Sequence, residues 1–192
     1  AIKVNDFPKP MMVWNPVAPT LAVLATDGVT YLITTTTTGA SQVVVGAFDP
    51  VGVETPKEYA WSPDGSRLMV TTGAKIRAVA SDGSNTLILS RGTDTFADLA
   101  YSPDSGWLVY RVTRSNKIWF EVLDLDQSPL LPPLPITPAE PISSGANSMP
   151  AYRAIMSMSP AWSTSNVLYY TSFALGGPTV GIISIDVSGL TP

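Results

Sequence analysis

Short apolar runs broken by clusters of Pro, Gly, Asp and Ser dominate this chain, and the run from Glu58 to Ser90 shows the pattern most clearly. Glu58 to Ser62 reads as a strand, Pro63-Asp64-Gly65 as a tight turn, and Arg67 to Thr72 as a second, buried strand. After Gly73, Lys75 to Ala80 alternates in character, Ser81-Asp82-Gly83-Ser84 turns, and Thr86 to Ser90 closes the group. The pattern predicts a meander of short antiparallel strands.

The same order recurs elsewhere. Leu99 to Ser102, a turn at Pro103-Asp104-Ser105-Gly106, Trp107 to Val112, a turn at Thr113 to Asn116, and Lys117 to Leu123 form a third group. In its last strand Ile118, Phe120 and Val122 share one face, with Lys117 and Glu121 on the other. A first group runs through Met12 to Asn15, Thr20 to Ala25, a turn at Thr26-Asp27-Gly28, Val29 to Thr36 and Gln42 to Ala47. Its Thr34 to Thr38 tract fits an exposed strand extension, because threonine is β-branched. The fourth group supplies only Ala161 to Ser163, Val167 to Thr171 and Thr179 to Asp186.

Each group opens on a small or apolar residue followed by an aromatic, then a polar residue: Val13-Trp14-Asn15-Pro16, Ala60-Trp61-Ser62-Pro63, Ala100-Tyr101-Ser102-Pro103 and Ala161-Trp162-Ser163-Thr164. The aromatics stand roughly 47, 40 and 61 residues apart, near the 40 to 45 of a propeller blade once the insertion in the last interval is removed. From Trp162 through the C-terminus and on from Ala1 to Trp14 is again roughly one repeat, about 44 residues. The expected fold is therefore all-β, a β-propeller of four four-stranded antiparallel blades forming a single domain over residues 1–192. Ile2 to Val4 is expected to complete the last blade, in the same chain or by strand exchange with a sister copy, covering an otherwise open sheet edge. The recurring aromatics are expected to pack between neighbouring blades.

Trp-Ser-Pro-Asp-Gly followed by an apolar strand and an Asp-Gly turn resembles the repeat of TolB-type, WD40-like β-propellers. Ala60-Trp61-Ser62-Pro63-Asp64-Gly65 carries the resemblance best and Ala100-Tyr101-Ser102-Pro103-Asp104 nearly as well, while the first and fourth groups depart from it. The resemblance implies architecture alone. Propellers of that type more often have six to eight blades, so a four-blade ring, an eight-blade ring from two chains and a piece of a larger propeller all stay open.

Composition narrows the chemistry. The chain contains no histidine and no cysteine, which removes the usual general base of nucleophilic catalysis, thiolate metal sites and disulfides. Eleven Lys and Arg against fifteen Asp and Glu give a net charge of −4, with no concentrated basic surface for nucleic acid. No apolar run of about eighteen residues is present, and Ala1 to Asp6 lack the charged-then-apolar order of a signal peptide.

Carboxylates invite a catalytic reading, but Asp27, Asp64, Asp82 and Asp104 each fall in a turn, where every repeat needs a turn former. Ser102 to Trp107 is one residue short of the Asp box of sialidase-type propellers, itself a structural motif. Asp94 with Asp98, and Asp124 with Asp126, are candidate acid and base pairs for glycoside hydrolysis only if they face a cleft. Gly176-Gly177 lacks the Lys and Ser or Thr of a phosphate loop. No catalytic, metal or cofactor residue is expected.

Residues 128–150 form a proline-rich insertion. Pro129, Pro132, Pro135, Pro138 and Pro141 recur every third residue, which matches the turn of polyproline II and would give a rod of roughly 37 Å. It is either a docking arm for a partner or a loop that folds back through Leu130, Leu131, Leu134 and Ile136. Arg111, Arg114 and Lys117 flank a hairpin and offer a second contact surface.

The sequence thus points to a non-enzymatic interaction or structural subunit of a larger assembly, such as a virion or envelope complex, with protein partners and no membrane insertion. The alternative is a carbohydrate-binding or glycosidase-like propeller with carboxylates at its central channel.

Overall fold

The computed structural model describes residues 11–25, 28–45, 55–115, 117–127, 130, 132–136, 140–141, 161–164, 166–173 and 180–187. These are β-strands and turns, gathered into two compact units, Ala1–Phe96 and Ala97–Pro192, each built on two antiparallel sheets.

In the first unit, β1 (Met12–Trp14), β2 (Thr20–Leu24), β3 (Thr30–Thr36) and β4 (Gly39–Val44) form one meander in that order. A second meander consists of β5 (Glu58–Trp61), β6 (Leu68–Thr71), β7 (Lys75–Val79) and β8 (Asn85–Ser90). These bounds follow the apolar runs of the sequence closely, because each hairpin is closed by local turn chemistry rather than by distant contacts. The threonine tract behaves as expected, with Thr35 and Thr36 exposed at the end of β3 and paired across the hairpin with Ala40 and Gly39.

The Pro63-Asp64-Gly65 turn shows how. The Ser62 hydroxyl donates to Asp64 Oδ1 (2.5 Å) and accepts from the Arg67 backbone N–H (3.0 Å), and the Gly65 N–H returns to the Ser62 carbonyl (2.8 Å). Gly65 sits at φ 71, a conformation that costs a residue with a Cβ roughly 1–2 kcal/mol. The third group repeats the design: Ser102 donates to Asp104 and accepts from the Trp107 N–H (2.8 Å), with Ser105 at φ 66 in the place of the glycine.

Ala22, Leu32, Val45, Leu68, Val70 and Val79 pack between the two sheets of the first unit, with Val13, Val43, Tyr59 and Trp61 around them. The register explains this: Val13, Ala22, Leu32 and Val43 are successive partners across β1 to β4 and so share one face. The Trp61 indole N–H donates across to the Val13 carbonyl (3.2 Å). Burial pushes the Tyr59 phenol far above its ordinary value, although its hydrogen bond with Thr30 (2.6 Å) acts the other way.

The second unit holds β9 (Thr95–Tyr101), whose first two residues fall in the first unit, then β10 (Trp107–Arg114), β11 (Lys117–Asp124), β12 (Leu134–Pro135) and β13 (Glu140–Pro141). Both β12 and β13 pair with β11. Its other sheet is β14 (Ala161–Trp162), β15 (Val167–Phe173) and β16 (Val180–Asp186). Val109, Val122, Leu168 and Val187 form the core here, ringed by Ala100, Trp107, Phe120, Leu134, Ile136, Trp162 and Ile185. The Trp162 indole N–H donates to the Ala100 carbonyl (3.3 Å), repeating in the second unit the contact that Trp61 makes in the first.

Two expectations need comment. Trp61, Tyr101 and Trp162 are buried or half-buried as expected, whereas Trp14 is 57% exposed. It belongs to the first sheet of its unit and points away from the face that meets the second. Ile2 to Val4, expected to complete the last sheet, lie outside the described residues, as do Asp27 and Gly176-Gly177.

Candidate interaction surface

The turn carboxylates Asp64, Asp82 and Asp104 are engaged locally, as their place in turns implies. Asp64 accepts from Ser62 and from the backbone N–H (3.0 Å) and hydroxyl of Ser66, and these hydrogen bonds, led by that of Ser62, hold its carboxyl below the usual range. At Asp104 burial acts to raise the carboxyl, but the bonds from Ser102, the Gly106 N–H and the Asn166 amide outweigh it, so the net direction is again down. Asp82 is lowered in the same way by the Ser84 hydroxyl and N–H.

The candidate acid and base pairs are engaged with neighbouring groups. Asp94 is buried beside Arg91, at 3.7 Å, while Asp98 takes a hydrogen bond from the Arg111 Nε and occupies φ 56. Asp124 accepts from the Asp126 N–H (3.0 Å) and the Gln127 amide (3.2 Å), which is a local turn at the end of β11. Among the described residues no group of three or more acidic side chains is arranged to hold a metal ion.

Glu121, to which the sequence assigned no role beyond the face opposite Ile118, Phe120 and Val122, is buried. Only 3% exposed, it accepts from the Tyr110 hydroxyl (3.0 Å) and the Trp119 indole N–H (2.8 Å). Tyr110 and Glu121 are direct cross-strand partners, and Trp119 lies two residues away on the same face, so alternation alone could have grouped them. Arg114 stacks over the Trp119 ring at 5.4 Å, which covers one side of this arrangement.

The three basic residues separate. Arg111 lies on the opposite face of β10 from Arg114 and is bound to Asp98; Arg114 and Lys117 are partners at the hairpin end, next to Ser115 at φ 48. Only these last two share a tip.

The insertion takes the fold-back course where it is described. Leu134 pairs with Val122 and Pro135 with Glu121, the Ile136 N–H donates to the Phe120 carbonyl (2.9 Å), and farther on Pro141 pairs with Lys117. Leu134 and Ile136 pack on the core of the second unit, whereas Pro132 and Pro135 are exposed. Proline donates no N–H, so it suits an edge strand and discourages further strand addition there. Pro129 and Pro138 lie outside the described residues.

The turn carboxylates imply an acid response. A carboxyl lowered in the folded state stabilises the fold above its unfolded value, and that contribution is lost as pH falls through the folded one. Thermal melts between neutral pH and about pH 2 should therefore decline more steeply for the natural chain than for a Ser62→Ala, Ser102→Ala variant, whose carboxyls return toward their ordinary range. Equal acid slopes would show that these hydroxyls do not set the Asp64 and Asp104 titrations.

No family model and no curated protein matches the chain. Solved structures do. The chain is similar to a structure described as TolB from Agrobacterium tumefaciens at 17% identity and a TM-score of 0.60, over 95% of this chain and 59% of that one. TolB from Acinetobacter baumannii gives 17% identity and a TM-score of 0.51 over 94% of this chain and 39% of that one. Hydrazine synthase from Kuenenia stuttgartiensis gives 16% and 0.53 over 96% and 47%. The four antiparallel sheets therefore have the TolB-like β-propeller fold, and the chain spans less than two thirds of the length of these structures.

Proposed function

We propose that this chain is a non-enzymatic propeller module that binds partner proteins through its rim loops and the proline-bearing edge of the β9 to β13 sheet. The observation that carries this reading is the split character of the insertion: Leu134 and Ile136 anchor it to the core, and Pro132 and Pro135 stand exposed three residues apart. Such spacing suits aromatic-lined grooves that read proline-rich segments, and an anchored ridge loses little further entropy on binding. Arg114 and Lys117 at the neighbouring hairpin tip add positive charge beside it. The engagement of Asp64, Asp82, Asp104 and Asp98 with neighbouring groups supports an interaction role over hydrolysis.

Replacing Pro132 and Pro135 together by serine should reduce affinity for a captured partner protein at least about tenfold, as loss of a central contact does, while leaving the thermal melt nearly unchanged. Partner capture in source extracts, compared between the natural chain and this variant, measures it. Undiminished capture rejects the proline ridge, and turnover in a glycosidase and esterase substrate panel rejects the non-enzymatic reading.

A further inference from the structure

Through Ile118, Trp119, Phe120 and Val122, β11 is rich in the β-branched and aromatic residues that favour strands, and it pairs with β10 along its whole length from Lys117 to Asp124. A long strand of this kind, with the N–H and C=O groups of its outer side left open, is a template on which another chain can add a strand. The insertion of the chain itself takes that side, through β12 and β13.

Hydrogen bonds on its two sides fix which way each residue of β11 faces. The N–H of Leu125, which follows β11 directly, donates to the Gly106 carbonyl (2.8 Å), whereas the Phe120 carbonyl accepts from the Ile136 N–H (2.9 Å). Odd-numbered positions of β11 therefore bond to β10 and even-numbered ones to the insertion. Pro135 stands opposite Glu121 and Pro141 opposite Lys117, both odd. At such non-hydrogen-bonded pairs the backbone nitrogen of the added strand faces away from β11, toward any strand that would come next. In both places that nitrogen belongs to a proline and carries no hydrogen. Ile136, one position on from Pro135, keeps the N–H that faces inward and uses it on Phe120. The proline spacing accounts for the arrangement: a proline at every third residue meets the alternation of a strand at every sixth, so Pro135 and Pro141 fall on the same side and Pro132 does not.

We propose that the insertion is an edge guard: it finishes the β9 to β13 sheet with a margin that lacks the outward N–H donors at Pro135 and Pro141, so that an extended segment such as another copy's β11 cannot add to the sheet there. The guard combines two requirements in one segment. Leu134 and Ile136 hold it on the core of the second unit, and the prolines between and beyond them deny the next strand its ladder. This goes beyond the partner-binding reading, because the edge is sealed whether or not a partner reads Pro132 and Pro135.

Replacing Pro135 and Pro141 together by threonine restores both outward N–H groups with a residue that favours strands. The probe is a fluorescently labelled peptide with the sequence of residues 117–124, followed by anisotropy on the full chain. It should bind the Pro135→Thr, Pro141→Thr variant at least about tenfold more tightly than the natural chain, as two added backbone hydrogen bonds allow. Pro132→Thr is the control, because by the same alternation its N–H would face β11; it should leave peptide affinity at the natural level. Circular dichroism melts near that of the natural chain show that the variants are folded, and Pro141→Thr alone carries the comparison if the double variant is not. Equal peptide affinity for the natural chain and the threonine variant, absence of binding to both, or the same gain from Pro132→Thr would each overturn the proposal. Since none of these readings involves a captured partner, their failure leaves the proline ridge standing, and failure of the ridge leaves the guard.

Discussion

Replacing Gly65 by valine is expected to lower stability by about 2–5 kcal/mol, as the sum of a left-handed backbone penalty and an overpacking penalty. Gly65 holds φ 71, and a Cβ built there would lie 2.3 Å from Val17 Cγ2 and 2.4 Å from Asn15 Oδ1. Asn15 cannot retreat freely, because its side chain donates to the Gly65 carbonyl (2.8 Å) and accepts from the Val17 and Ala18 N–H groups (both 2.9 Å). The clash therefore reaches the contact between the first two sheets. For a chain of this size such a loss corresponds to a melting temperature lower by on the order of 10 °C. Gly28→Val is the control. Gly28 has φ 79 but no atom within 4 Å of the added Cβ, so only the backbone term, about 1–2 kcal/mol, should appear. Equal effects at the two glycines, read by denaturant unfolding, would mean that Gly65 is needed for its dihedral alone.

The second large effect is expected at Trp61. Trp61→Ala removes the ring that packs against the cluster of Ala22, Leu32, Val45, Leu68, Val70 and Val79 and should destabilise the first unit by about 3 kcal/mol, in the range of large-to-small aromatic substitutions. Trp61→Phe keeps most of the packing and loses the indole N–H bond to the Val13 carbonyl, a change of about 1 kcal/mol. The ratio separates burial from hydrogen bonding. If Phe proves as damaging as Ala, directional bonding rather than apolar area holds the sheets together. Trp162→Ala should weaken the second unit comparably, since its ring packs against the cluster of Val109, Val122, Leu168 and Val187 and its indole N–H donates to the Ala100 carbonyl in the same way. Hydrogen exchange resolved by segment would show each substitution acting in its own unit.

Hairpins were legible where a polar turn separates two apolar runs of fixed spacing. Glu58 to Ser90 is the best case: its strands, its Pro63-Asp64-Gly65 and Asp82-Gly83 turns and their order all rest on contacts between residues close in sequence. The Thr113 to Asn116 turn came out shorter than expected, because β10 and β11 stay paired as far as Arg114 and Lys117. The candidate surface was less legible. The every-third proline spacing left a docking rod and a fold-back loop both open; Leu134 and Ile136 draw that segment onto β11, where alternation by two replaces the period of three. Glu121 was placed only on the face opposite Ile118, Phe120 and Val122; alternation sets Trp119 beside it in β11, but the Tyr110 hydroxyl that also holds it comes from β10. Arg111 likewise read as one of a basic trio until Asp98, from another strand, claimed it.

The amino-acid order by itself settled the all-β meanders, their boundaries to within a residue or two in the clearest repeat, and the structural use of Ser62, Asp64, Ser102 and Asp104. These depend on backbone propensity and on hydrogen bonds spanning only a few positions. Three-dimensional packing alone decided that residues 134–136 and 140–141 extend the sheet of β11, that Asp98 and Arg111 pair, and that Trp14 remains exposed while Trp61 and Trp162 find a neighbouring carbonyl. Those outcomes join groups far apart along the backbone, or turn on whether a second surface is present to receive a side chain.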